Sequence, residues 1–131
     1  MFIDASAMVA MMTDEDDARL LAARMQSSTN RITSPAAIWE TAINIARILG
    51  IELDDAARTV QSFLDAMEIT LLPIPPEAAY AAIDAFDRFG KRHHPAELNF
   101  GDCFAYACAR HYAVPLLYKG NDFSKTDIEA A

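Results

Sequence analysis

The sequence is poor in every feature that would make it a secreted, membrane-spanning or nucleic-acid-coating protein. It has two cysteines among 131 residues, Cys103 and Cys108, five apart on one expected helix, where their side chains cannot readily meet in a disulfide. They are expected as reduced, half-buried thiols of a cytoplasmic protein. No apolar run is long enough to span a bilayer. Met1-Phe2-Ile3 leads into Asp4 without the basic start of a secretory signal, so none is expected. Basic residues are outnumbered: 11 Lys and Arg face 19 Asp and Glu, for a net charge of −8. That balance argues against a general nucleic-acid-coating protein, which would be basic. It leaves room for a nuclease whose own carboxylates hold a metal. Internal repeats, linkers and low-complexity stretches are also missing, so residues 1–131 are expected to form a single domain.

What is present is apolar. Hydrophobic residues make up 53% of the chain, high for a soluble domain, and without a membrane span the excess suggests surface buried against a partner. Short apolar runs alternate with helical patterns. Phe2-Ile3 reads as a buried first strand with Asp4 at its carboxyl end, the edge where open α/β sheets build their sites. Asp4-Ala5-Ser6 serves equally well as a helix cap. The acidic run Asp14 to Asp17 reads as the solvated first turn of a helix to about Ser27, capped by Thr13, and is assigned no chemistry. Arg31 to Ser34 is expected as the second strand. Pro35 to Leu49 follows as a helix with an apolar stripe of Ile38, Ala42, Ile45 and Leu49, closed by Gly50. Glu40, Asn44 and Arg47 share another face, where a solvated polar ladder accounts for them on helix geometry alone. Trp39 is expected as a core or interface anchor. A helix from about Leu53 to Met67, a strand Ile69 to Leu72 and a helix Glu77 to Phe89 come next. Arg88, Lys91, Arg92, His93 and His94 then form the only basic cluster. The adjacent histidines lack the spacing of a helical metal pair, and a phosphate-facing loop competes with ordinary solvent exposure.

The stretch from Asn99 to Ala107 carries the most information. Asn99 suits an N-cap, Asp102 falls in the first turn, and Phe104, Ala105, Cys108, Ala109 and Tyr112 recur as a buried face. Val114 to Tyr118 reads as a fourth strand with Asp122 just past its end, and Thr126 to Ile128 as a short strand or coil. The alternation predicts a three-layer α/β/α fold around a mostly parallel sheet of four to five short strands. In such a sheet Asp4, Asp102 and Asp122 can meet at one edge, with Glu40 nearby. Carboxylates gathered there repel, and their burial is costly unless a cation is bound. Oxygen-only ligands suit Mg²⁺ or Mn²⁺, and no thiolate and imidazole set for zinc is present. The chemistry that follows is metal-assisted hydrolysis of a phosphodiester.

Three motifs together point to a family. Phe2-Ile3-Asp4-Ala5-Ser6-Ala7 has an acid followed two residues later by a hydroxyl. Trp39-Glu40 follows a Ser-Pro helix start. His94-Pro95-Ala96-Glu97-Leu98-Asn99-Phe100-Gly101-Asp102-Cys103-Phe104-Ala105-Tyr106-Ala107 is the strongest of the three, joined by the run Leu117 to Ile128. Over essentially its whole length the chain resembles PIN-domain ribonucleases, specifically the VapC-type toxins of bacterial type II toxin–antitoxin (VapBC) pairs. The resemblance implies that Asp4 and Asp102 are the acids most directly associated with Mg²⁺. It makes Glu40 the third acid, Asp122 the fourth and an outer ligand, and Ser6 a supporting hydroxyl. It further implies an Mg²⁺-dependent endoribonuclease with Mn²⁺ as an alternative ion, a homodimer, and a VapB-type antitoxin whose C-terminal tail occupies the groove. Lys91 and Arg92 are the candidate RNA contacts.

Rival readings are weaker. A phosphoacceptor receiver domain needs paired acids after strand one and strict alternation, whereas Asp4 stands alone and Pro35 to Met67 is two helices in a row. An aspartyl phosphatase needs a second Asp where Ser6 stands. A catalytically silent PIN-like module that binds antitoxin or RNA without turnover is the remaining alternative.

Overall fold

Four two-residue strands and six helices make up the computed structural model, which describes residues 1–131. In chain order they are β1 (Phe2–Ile3), α1 (Ala5–Met12), α2 (Ala18–Gln26), β2 (Ile32–Thr33), α3 (Pro35–Leu49), α4 (Leu53–Ala66), β3 (Thr70–Leu71), α5 (Ala78–Phe89), α6 (Phe100–His111) and β4 (Leu116–Leu117). A 3₁₀ turn at Phe123–Lys125 follows. The strands are all parallel, in the order β3-β2-β1-β4, with Phe2 opposite both Ile32 and Leu116. No helix is long and apolar enough to cross a membrane.

Strand alternation divides the core. Phe2, Ile32 and Leu116 point to one face and pack with Ala82, Ala85, Cys103 and Cys108 of α5 and α6. Ile3 and Leu117 point to the other and pack with Met8, Leu21, Ile45 and Val60 of α1 to α4. A sheet covered on both faces needs adjacent apolar residues rather than apolar–polar alternation, which is what Phe2-Ile3 and Leu116-Leu117 supply. Thr33 breaks that pattern, and its buried hydroxyl is satisfied by donating to the Ile3 carbonyl at 2.9 Å.

The chain leaves β1 for β2 and β3 on one side and returns to β4 on the other. The carboxyl ends of β1 and β4 therefore flank the switch point, where open α/β sheets leave a crevice.

The expected elements form, with local corrections. Gly50 ends α3 in the left-handed conformation (φ 64°), donating its N–H to the Ala46 carbonyl. Leu49 is exposed rather than part of the buried stripe, because the last turn of α3 extends past the core. Thr13 does not cap the acidic helix. It ends α1, with its N–H and its hydroxyl both donating to the Val9 carbonyl at 3.0 and 2.8 Å. The backbone turns left-handed at Asp14 (φ 52°), and α2 begins only at Ala18. On α6, Phe104 and Tyr112 are only partly buried. No strand forms at Thr126 to Ile128. The tail instead brackets Leu116, whose N–H donates to the Glu129 carbonyl at 2.8 Å and whose carbonyl accepts from Ala131 at 3.0 Å. The tail is also tied to α5 and α6 by Asp127, which accepts from Arg88 and from the Tyr106 hydroxyl, each at 2.7 Å.

Candidate functional site

Asp4 is both a cap and part of a site. It ends β1, caps α1 by accepting the Ser6 N–H at 3.0 Å, and is 5% exposed. The Ser6 hydroxyl donates to the same oxygen, Oδ2, at 2.5 Å, and accepts the Lys119 N–H at 3.0 Å. The end of β1 is thereby tied to the chain leaving β4. Burial pushes the Asp4 carboxyl above its usual range, and the two Ser6 hydrogen bonds oppose that shift.

Asp102 is held by the start of α6. Asn99 accepts the Asp102 N–H at 3.0 Å, and Asp102 accepts the Asn99 N–H at 2.8 Å, a reciprocal capping box that fixes the carboxylate. Burial raises its pKa to about 6; the Asn99 N–H opposes this, and the charges of Asp4 and Asp122 add to it.

Glu40 comes from α3, half-buried, with its pKa pushed to about 7 by burial, then by Asp4, then by Asp102. On the same helix face Asn44 donates to the Glu40 carbonyl at 2.9 Å, and Arg47 donates to the Asn44 side-chain oxygen at 3.0 Å.

These residues line one cleft of about 310 Å³ with Ser6, Glu15 and Lys119. Four carboxylates face two cations there, and one cation, Lys119, is already paired with Glu15. The acid run before α2 thus sends one member into the site, where the sequence pattern assigned it no chemistry. Only the packing of that turn beside β4 reveals this. Arg47 was visible as the i+7 partner of Glu40, but its place in the cleft was not.

The donor set is carboxylate oxygen, with no thiol or imidazole among the lining side chains. The acids are not gathered into a finished three-donor cluster. Oxygen donors suit Mg²⁺, which takes few protein ligands and keeps several waters. A divalent cation would favour the ionised forms of Glu40 and Asp102 against the burial and the neighbouring charges that raise their proton affinity.

Asp122 lies exposed at the start of the 3₁₀ turn and does not line the cleft, although its charge reaches Asp102. Lys91 is exposed, and its charge favours the ionised form of Asp102. Arg92, in a left-handed turn (φ 75°), lines a shallow depression with His93, His94 and Glu97. Local bonds occupy the histidines. His93 Nε2 lies 2.7 Å from the Phe86 carbonyl, and His94 Nδ1 accepts the Ala96 N–H at 3.1 Å. Arg88 is engaged with Asp84 and Asp127 and stacks over Phe89.

Beside the acidic cleft runs an apolar rim. Trp39 is 67% and Phe100 75% exposed, so Trp39 is not a core residue of the single chain. Both line a groove of about 280 Å³ with Ile43. Phe100 also borders a second groove, of about 420 Å³, with Ile83, Phe86 and Phe104.

Comparison with known proteins bears on the family and the fold. The model of the PIN domain family matches residues 1–129. The chain is 41% identical over 130 residues to a ribonuclease VapC of Mycolicibacterium smegmatis, covering 99% of this chain and 98% of that protein. It is 39% identical over 128 residues to ribonuclease VapC30 of Mycobacterium tuberculosis, covering 98% and 95%. In three dimensions it is similar to the crystal structure of Mycobacterium tuberculosis VapC20, described as a sarcin–ricin loop cleaving toxin. The TM-score is 0.76 at 20% identity, with 99% of this chain and 97% of that one covered.

Proposed function

The chain belongs to the PIN-domain family, among the VapC ribonucleases, and from that premise we propose that it is an Mg²⁺-dependent endoribonuclease, the toxin of a VapBC-type pair. One observation carries the reading. Asp4 from the end of β1, Glu40 from α3 and Asp102 from the start of α6 face one cleft at the switch point, where burial raises the proton affinity of all three, Asp4 adds to that of Glu40 and Asp102, and Asp102 adds to that of Glu40.

In this reading Asp4, Glu40 and Asp102 hold Mg²⁺, or Mn²⁺ in its place. When bound, the ion supplies an acidified water for in-line attack and offsets charge on the leaving oxygen, giving a 5′-phosphate and a 3′-hydroxyl. The chain's own groups set the geometry. Ser6 orients the Asp4 carboxylate, and the capping box holds Asp102. Arg47 and Lys119 in the cleft, with Lys91 and Arg92 outside it, supply cationic contacts for phosphates flanking the cut. Asp122 acts as an outer acid through its charge on Asp102.

The partner side of the proposal is a VapB-type antitoxin whose C-terminal tail lies in the groove, a homodimer, and a cytoplasmic location. The exposed Trp39, Ile43 and Phe100 beside the acids support a docking partner for this face, since contiguous exposed apolar surface marks interaction sites.

The test is cleavage of tRNA, ribosomal RNA fragments and messenger RNA by purified, antitoxin-free protein with Mg²⁺, Mn²⁺ or EDTA, beside Asp102→Asn. Cutting is expected with either metal. It should stop with EDTA and drop at least about 100-fold in the variant, since disturbing outer partners of a metal ligand alone costs roughly 10–100-fold. Metal-independent cutting, or an Asp102→Asn variant at the parental rate, would remove the metal-site assignment.

A further inference from the structure

Gly101 separates Asn99 from Asp102 in the capping box, yet nothing about its backbone calls for glycine. It lies in the first turn of α6, and its φ is outside the left-handed range. Glycine is a poorer helix former than every residue except proline, so a glycine here weakens the helix start. What the position lacks is room. A Cβ placed on Gly101 would lie well inside van der Waals contact of Glu40 Oε2 and 3.3 Å from Glu40 Cδ. Its next neighbour, Asn99 Oδ1, would be at an ordinary 3.4 Å. The only obstruction is therefore the tip of a cleft carboxylate. Gly90 is the contrast, because there an added Cβ would strike the Phe86 main-chain carbonyl and the limit is the fold itself.

From this juxtaposition we propose that Gly101 is a positioning residue, and that the space left by its missing side chain is the seat of the Glu40 carboxylate. α3 presents Glu40 across to α6, and only a residue without Cβ lets the carboxylate lie against the helix start that also holds Asp102. Without the seat the flexible Glu40 side chain can swing away at little cost to the fold, and the cleft keeps Asp4 and Asp102 but loses its third acid. The functional part of this inference rests on the metal-site reading above.

Gly101→Ala, Glu40→Ala and the double variant test it. Gly101→Ala is expected to fold, with a Tm equal to or above the parent because alanine favours helix. In its metal-free crystal structure the Glu40 carboxylate should have left its parental position. Its Mn²⁺ affinity by calorimetry should fall as far as that of Glu40→Ala, roughly 10-fold or more. The double variant should bind no more weakly than Glu40→Ala alone, because the carboxylate through which the alanine acts is already gone. A Gly101→Ala protein with Glu40 in place, parental affinity, or losses that multiply in the double variant would overturn the proposal. If Gly101→Ala does not fold, recovery of folding in the double variant supports the seat, and failure of both overturns it. If the parent itself binds neither Mn²⁺ nor Mg²⁺, the metal-site reading fails, while the position of Glu40 in the metal-free variant still decides whether Gly101 seats it.

Discussion

Ser6 connects a buried charge to a strand end. Its hydroxyl donates to Asp4 and accepts from the Lys119 N–H, so two chain segments more than a hundred residues apart share one oxygen. Replacing Ser6 with alanine leaves the Lys119 N–H without its partner and removes one of the three bonds that favour ionised Asp4. An unsatisfied donor costs about 1–3 kcal/mol when fully buried and less at a part-buried site such as this one, and losing an outer-shell partner typically lowers metal affinity about 10–100-fold. Ser6→Ala should therefore unfold at lower urea and bind Mn²⁺ more weakly, with the metal-binding pH profile moved upward. Unchanged affinity in calorimetry would assign Ser6 a purely structural role. The sequence marked Ser6 by its place two residues after Asp4. It could not show the Lys119 bond, which exists only because β4 pairs beside β1.

Among the elements, α6 does two jobs at its first turn: it starts a helix whose middle, Ala105 to Ala109, is buried, and it fixes an acid of the candidate site. Asn99→Ala removes the cap to the Asp102 N–H, and caps of this type are worth about 1 kcal/mol, a loss that urea denaturation should resolve. Asp102→Asn behaves differently. The amide oxygen can still accept the Asn99 N–H, while the charge that raises the proton affinity of Glu40 disappears. That variant should lose cleavage and, without metal at neutral pH, be at least as stable as the parent. A marked destabilisation would mean that the carboxylate serves the fold more than the site. The α6 cap was legible in the sequence because capping is local. The join between α1 and α2 was misread because Thr13 and the acids suit either the end of one helix or the start of the next, and only the path of the chain across the sheet chose.

The whole molecule carries a pH signature. Glu40 moves from 4.5 to about 7 on folding and Asp102 from 3.8 to about 6, so the folded, metal-free protein holds protons that the unfolded chain has released. Their contribution to stability is fully present below the unfolded values and is lost as pH rises through 6 and then 7. In EDTA the Tm should fall between about pH 4 and 7. Because metal binding requires the ionised forms and stabilises only the folded state, millimolar Mg²⁺ should flatten or reverse that fall, most strongly above neutrality. Thermal scans across pH with EDTA and with Mg²⁺ would check this, and identical flat profiles would show that the acids do not interact through the cleft.

The sequence by itself determined the layers, the parallel sheet and the local chemistry: apolar pairs that face both ways, caps at Asn99 and Gly50, and acids at strand ends and a helix start. Those features depend on neighbours a few residues apart, so pattern reads them. Tertiary structure alone decided that Glu15, Arg47 and Lys119 share the cleft, that Asp122 stays outside it, and that Trp39 is exposed. It also set the Glu40 carboxylate, from a helix about sixty residues earlier in the chain, against the open face of Gly101. Contacts between distant elements leave no periodicity, and their meaning appears only once the sheet order brings the elements together.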